Sequence, residues 1–104
     1  MKMIHVIATV RVKPGRRDDF IELVKSITGQ VTEEKGCIRY ILTVDIVSGL
    51  PPQVLDENLV TMIEAWESLQ ALRNHLTTPH MALFFEKRKE MVEGGSSLKV
   101  LQEA

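Results

Sequence analysis

Glu64-Ala-Trp-Glu-Ser-Leu-Gln-Ala-Leu-Arg-Asn-His-Leu-Thr-Thr-Pro-His80 changes its periodicity twice, and those two changes decide how the chain is built. Leading into it, residues Asn58 to Trp66 alternate, with Val60, Met62, Glu64 and Trp66 on one side and Leu59, Thr61, Ile63 and Ala65 on the other. A period of two is that of a strand. Beyond Trp66 the spacing becomes helical: Ser68 can cap a turn whose apolar positions are Leu69, Leu72 and Leu76. Thr78-Pro79 then opens a second helix, with a hydroxyl at the cap and proline at the first helical position. A strand end, a helix end and a helix start therefore meet at one corner, which also holds the single Trp and two of the three His.

Working outward, Met3 to Val12 alternates in the same way, with Ile4, Val6, Ala8, Val10 and Val12 on one face, before Lys13-Pro14-Gly15 breaks it. Asp18 and Asp19 suit the positive end of a helix, and Phe20, Leu23, Val24, Ile27 and Val31 give its apolar stripe. Lys35-Gly36 predicts its end. Cys37 to Val47 is a second strand, apolar on much of both faces, and Ser48 to Glu57 a loop. After Pro79 the stripe Met81, Phe84, Phe85, Met91 and Val92 predicts a helix running to Gly94-Gly95, with Arg88 inside the stripe. Leu98, Val100 and Gln102 suggest a closing strand.

The order β-α-β-β-α(α)-β predicts a single α+β domain over residues 1–104. It is a ferredoxin-like split βαβ fold, with a four-stranded antiparallel sheet and helices on one side. The uncovered face would still carry Ile, Leu, Val and Met, so a homodimer through the sheet faces is expected.

Composition narrows the function. The chain has 104 residues, 44% hydrophobic and 26% charged, with net charge −1. No basic face is available for nucleic acid or anionic lipid. No apolar run approaches a membrane span and no leader pattern is visible, so a cytoplasmic location is expected. One cysteine, Cys37, excludes an internal disulfide and has no obvious activating neighbour.

Several side chains could carry chemistry. His75 is either a helix-end imidazole near free carbonyls or a general base in a pocket between helix and sheet. His80 is either a first-turn surface residue or a functional one, and His5 suits a sheet-face or interface position. His75 and His80 are five apart across a helix break, without the four-residue spacing of helical metal ligands, so no metal site is expected even with Glu64 nearby. Trp66 and Tyr40 suit a core, although Trp66 beside Glu64 and Met62 would also suit a flat apolar ligand. Arg88 either reaches to solvent or lends charge to a pocket.

Val6 to Gly15 (Val-Ile-Ala-Thr-Val-Arg-Val-Lys-Pro-Gly) and Glu33 to Tyr40 (Glu-Glu-Lys-Gly-Cys-Ile-Arg-Tyr) resemble the antibiotic biosynthesis monooxygenase family. Met62-Ile-Glu-Ala-Trp-Glu-Ser68 with His75-Leu-Thr-Thr-Pro-His-Met81 resembles its bacterial quinol monooxygenase branch. The resemblance implies a dimeric α/β barrel in which each subunit oxidises quinols or related aromatic phenols with dioxygen and no cofactor. It implies His75 as the base, with His80 and the helix start at Pro79 steadying an oxygen anion. Trp66, Met62, Tyr40 and Phe84 would enclose the ring, with Glu64 and Arg88 beside it.

Some polyketide oxygenases of the family carry an asparagine four residues before the Trp, where Met62 stands here. Haem-degrading members carry a second Trp and a His ligand where His75 and Phe85 stand, which argues against haem breakdown. Two other readings stay open: a non-catalytic dimeric barrel that binds a small hydrophobic ligand, and an enzyme acting on phosphorylated sugars. The second would need cations such as Arg39, Arg73 and Arg88 in its pocket.

Overall fold

In the computed structural model, residues 2–104 are described. Strand β1 (Ile4–Arg11) leads into helix α1 (Arg17–Thr32), strands β2 (Cys37–Val44) and β3 (Leu59–Trp66), helices α2 (Leu69–Leu76) and α3 (Pro79–Arg88), and strand β4 (Ser97–Gln102). The sheet order is β2-β3-β1-β4, antiparallel throughout. The outer β2 enters through a helix and the outer β4 returns beside β1, the expected ferredoxin-like topology.

Alternation on β1 and β3 sends Ile4, Val6, Val10, Val60, Met62 and Trp66 toward the helices, where all are buried. From the other side α1 contributes Phe20, Val24, Ile27 and Val31, and α3 contributes Met81 and Phe84. Burying each of these larger side chains is worth about 1.5–3 kcal/mol, so the core holds the helices on one face of the sheet. The opposite face stays bare. Ile41, Ile63 and Ile7 stand side by side across β2, β3 and β1 in one register row. They are 45%, 38% and 37% exposed, much more than a finished core leaves open. None of the described helices is long and apolar enough to cross a membrane.

Three elements end several residues before the sequence reading placed their ends, each for a local reason. Strand β2 stops at Val44 instead of Val47, since its ladder with β3 ends at Val44↔Val60 and the following Ile46 and Val47 are exposed. Helix α1 stops at Thr32. Glu33 to Gly36 form a turn closed by the Glu34 N–H donating to the Val31 carbonyl (3.0 Å) and the Cys37 N–H donating to the Glu34 carbonyl (3.1 Å). Helix α3 stops at Arg88, so Met91 and Val92 are not on its stripe. They extend β1 instead: Val12 bridges Val92, and the Lys13 N–H donates to the Met91 carbonyl at 2.9 Å.

Candidate active site

The corner from Trp66 to His80 is held by its two caps. Ser68 Oγ accepts from the Ala71 N–H at 3.1 Å, fixing the start of α2 directly after β3. Thr78 Oγ1 accepts from the Met81 N–H at 3.3 Å and donates to the His75 carbonyl at 2.9 Å. One hydroxyl thus starts α3 and ties down the end of α2, which sets His75 and His80 relative to each other. Gly36 brings the third element in. Its φ of +88° is left-handed, and a Cβ there would meet Ala71 Cβ at 2.6 Å, so α2 rests directly on the turn that follows α1.

That turn delivers Glu34. One of its oxygens, Oε2, lies 2.9 Å from His75 Nδ1 and 2.7 Å from His80 Nε2. His75 is buried and the other two are largely shielded. The sequence reading did not find Glu34, although a signal existed. Phe20, Val24, Ile27, Val31 and Glu34 continue a single three- and four-residue stripe, so an acid stands where that stripe predicts an apolar residue. The carboxylate expected near the histidines was Glu64, which belongs to the other side of His75. Glu64 Oε1 accepts from Trp66 Nε1–H at 3.0 Å.

Between the sheet and the helices lies a cavity of about 250 Å³. Met62, Phe84 and Leu72 form much of its apolar wall, and its polar lining includes Glu64, His75, Tyr40 and Arg88. Two expected residues are not on it. Trp66 is completely buried behind His75, their rings 4.6 Å apart, so it packs against the imidazole instead of offering a face to a ligand. His80 does not line it either, and is tied to His75 through the shared Glu34 oxygen. Tyr40 meets the His75 ring edge-on at 5.7 Å. Arg39 and Arg73 are exposed, whereas the half-buried Arg88 faces the cavity. His5, as expected, is on the bare sheet face, and Cys37 is a half-buried free thiol.

Burial dominates the electrostatics. It pushes the Glu64 carboxyl up, opposed in part by the Trp66 N–H and by His75. The Tyr40 phenol is driven well above its ordinary range by burial and then by the charges of Glu64 and Glu34. Burial also raises the Cys37 thiol, with Glu34 and Glu64 adding to the effect, so this thiol is not activated.

Among the described residues His75 Nε2 has no hydrogen-bond partner, and no buried side-chain nitrogen or oxygen is left unpartnered. That nitrogen must therefore be open to the cavity that His75 lines. The arrangement can hold an imidazole with one nitrogen fixed by a carboxylate and the other presented to a ligand. The same trio could gather on a cation, since ligand atoms of Glu34, His75 and His80 lie within 4.8 Å of one another. Two histidines and a carboxylate are an ordinary donor set for a transition ion.

Comparison with known proteins agrees with the architecture. Residues 3–87 match the family model described as antibiotic biosynthesis monooxygenase. The "Probable quinol monooxygenase YgiN" of Escherichia coli K12 is 37% identical over 89 residues, covering 84% of this chain and 86% of that protein. Among solved structures, a conserved protein from Methanosarcina mazei Go1 superposes with a TM-score of 0.86 at 24% identity, covering 100% of this chain and 95% of the other. A Pseudomonas aeruginosa protein superposes at 0.84 with 23% identity, covering 100% and 96%. Those two likenesses concern the fold, while the sequence matches speak to descent: the chain belongs to the antibiotic biosynthesis monooxygenase family.

Proposed function

We propose that the protein is a cofactor-independent monooxygenase acting on quinols or related aromatic phenols with dioxygen, as a homodimer paired through its bare sheet faces. The observation that carries the reading is the state of His75: one ring nitrogen on Glu34, the other open to an apolar cavity.

The chemistry follows from that arrangement. With Nδ1–H donated to Glu34, Nε2 keeps its lone pair and takes the phenolic proton, and the Glu34 carboxylate stabilises the imidazolium that forms. The resulting quinolate donates one electron to dioxygen. Recombination of the radical pair joins the terminal oxygen to a ring carbon as a peroxide anion, which takes the proton back from His75 to become a hydroperoxide. That carbon then loses its hydrogen as a proton, the O–O bond breaks and hydroxide leaves. The proton released from the carbon and the departing hydroxide combine as water, leaving His75 neutral as it began. One oxygen atom stays on the ring as a carbonyl and the other departs as water, so a quinol and dioxygen become a hydroxyquinone and water. Apolar walls from Met62 and Phe84 exclude solvent from the charged intermediates. His80, expected to meet the substrate oxygen itself, is here a positioning residue that shares Glu34 with His75. Trp66 supports the imidazole from behind.

The sugar-phosphate reading gains less support, because two of its three candidate cations, Arg39 and Arg73, are exposed. Oxygen uptake with reduced naphthoquinones tests the proposal. His75→Gln is expected to lower kcat about 10²–10⁴-fold, the usual worth of a general base. Exhaustive chelation should leave the wild-type rate unchanged. Full activity in His75→Gln would remove the base, and activity lost to chelation and restored by one divalent ion would reassign the trio as a metal centre. Tight binding of quinols with no oxygen uptake would favour a non-catalytic barrel.

A further inference from the structure

Arg88 is the last residue of α3 and half-buried at the cavity. Its guanidinium carbon stands 5.8 Å from the centre of the Phe84 ring and 5.0 Å from that of Phe85. The acids nearby are already engaged. Glu64, the acid on its wall, is hydrogen-bonded to Trp66, and Glu34 is taken by two histidines. The Arg88 guanidinium makes no ion pair with any described residue and no hydrogen bond to one. This contrasts with Arg11 and Arg16, which each find an aspartate at 2.9 Å. A cation held against two aromatic rings without a counter-ion has lost water and gained only the ring faces in return. Burial correspondingly lowers its pKa.

We infer that Arg88 is the specificity residue of this cavity, and that the substrate is an aromatic acid carrying a carboxylate that the guanidinium receives. A guanidinium fork matches the two oxygens of a carboxylate, and the phenylalanine faces on either side suit a ring attached to it. His75 and Glu64 line the same cavity from α2 and β3, whereas Arg88 comes from the end of α3, so the phenolic oxygen and the carboxylate would be read by different residues. The inference rests on the oxygenase reading for the word substrate, but the anion site stands or falls by binding alone.

The test therefore has a binding arm and a turnover arm. In the first, isothermal titration compares 2-naphthoate, 2-naphthamide and 2-naphthyl phosphate on the wild type, Arg88→Gln and Arg88→Lys. The wild type is expected to bind 2-naphthoate about 30-fold more tightly than the amide, within the range for a charge-assisted pair. Arg88→Gln should bring that ratio close to one, and Arg88→Lys should keep part of it. Equal affinity of the wild type for acid and amide overturns the inference, as does a ratio that Arg88→Gln leaves intact. Clear preference for the phosphate ester over the carboxylate overturns the assignment of a carboxylate. Should Arg88→Gln fail to fold, the wild-type ratio with added Arg88→Lys decides alone.

In the turnover arm, 1,4-dihydroxynaphthalene is compared with its 2-carboxylate by oxygen uptake. The acid is expected to have the higher kcat/KM in the wild type, with the preference shrinking in Arg88→Gln. A neutral substrate preferred by the wild type overturns the inference. Turnover of neither, beside an intact preference for 2-naphthoate, defeats the oxygenase reading while the anion site survives.

Discussion

Glu64 and Glu34 flank His75 as two carboxyls in different settings, and the difference gives Glu64 a signature of its own. Burial raises its pKa, so the folded protein holds that proton at pH values where the unfolded chain has already released it. The stability contributed is present in full below the ordinary carboxylate range and is lost as pH rises through the raised folded value. Glu64→Gln cannot ionise and can still accept from the Trp66 N–H. Its Tm relative to the wild type should therefore climb as pH goes from acid toward neutrality, and parallel melting curves across that range would contradict the assignment. Residues of this kind were partly legible beforehand. His75, Glu64, Met62, Tyr40, Phe84 and Arg88 could be read because they stand on a strand face or helix stripe whose period is local. Glu34 could not be matched to its partners, since its two bonds span 41 and 46 residues and form only when three elements meet.

At the scale of elements, the corner depends on the contact between the turn after α1 and α2. Gly36→Ala forces a side chain into left-handed backbone, at about 1–2 kcal/mol, and drives its Cβ against that of Ala71. A loss of at least about 4–8 °C in Tm is expected for each kcal/mol in a domain of this size, together with lower activity because Glu34 is carried on the same turn. Gly29→Ala is the control: it lies inside α1 with open space around the new Cβ, and should gain about 0.5–1 kcal/mol. Thermal melts of the two variants moving the same way would disprove this account. The start signals of α2 and α3 were legible because a cap is a purely local device. The end of α3 was not, since Met91 and Val92 keep a helical spacing while their backbone is claimed by Lys13 and Val12, partners far away in sequence.

For the molecule as a whole, the split topology could be read from the order of elements, and the bare sheet face from apolar residues on both sides of β2. Ile63 sits between Ile41 and Ile7 at the middle of that face. A stable pairing there needs on the order of 1,200–2,000 Å² of total buried surface, and a charge at its centre would have no partner. Wild-type protein is expected to sediment as two chains and Ile63→Lys as one, with the Tm of the variant falling as the second subunit is lost. Sedimentation of Ile63→Lys as two chains would mean that the subunits meet elsewhere. The single Glu34 oxygen shared by two rings has a consequence of another kind, in how the sequence can change over time. Once position 34 loses its carboxylate, His80 has nothing left to hold in place, and His75 loses the partner that fixes its ring. Substitutions at the three positions would therefore be strongly non-additive. Lineages that drop one member would be free to drop the second, so the three sites, scattered along the chain, are expected to change together.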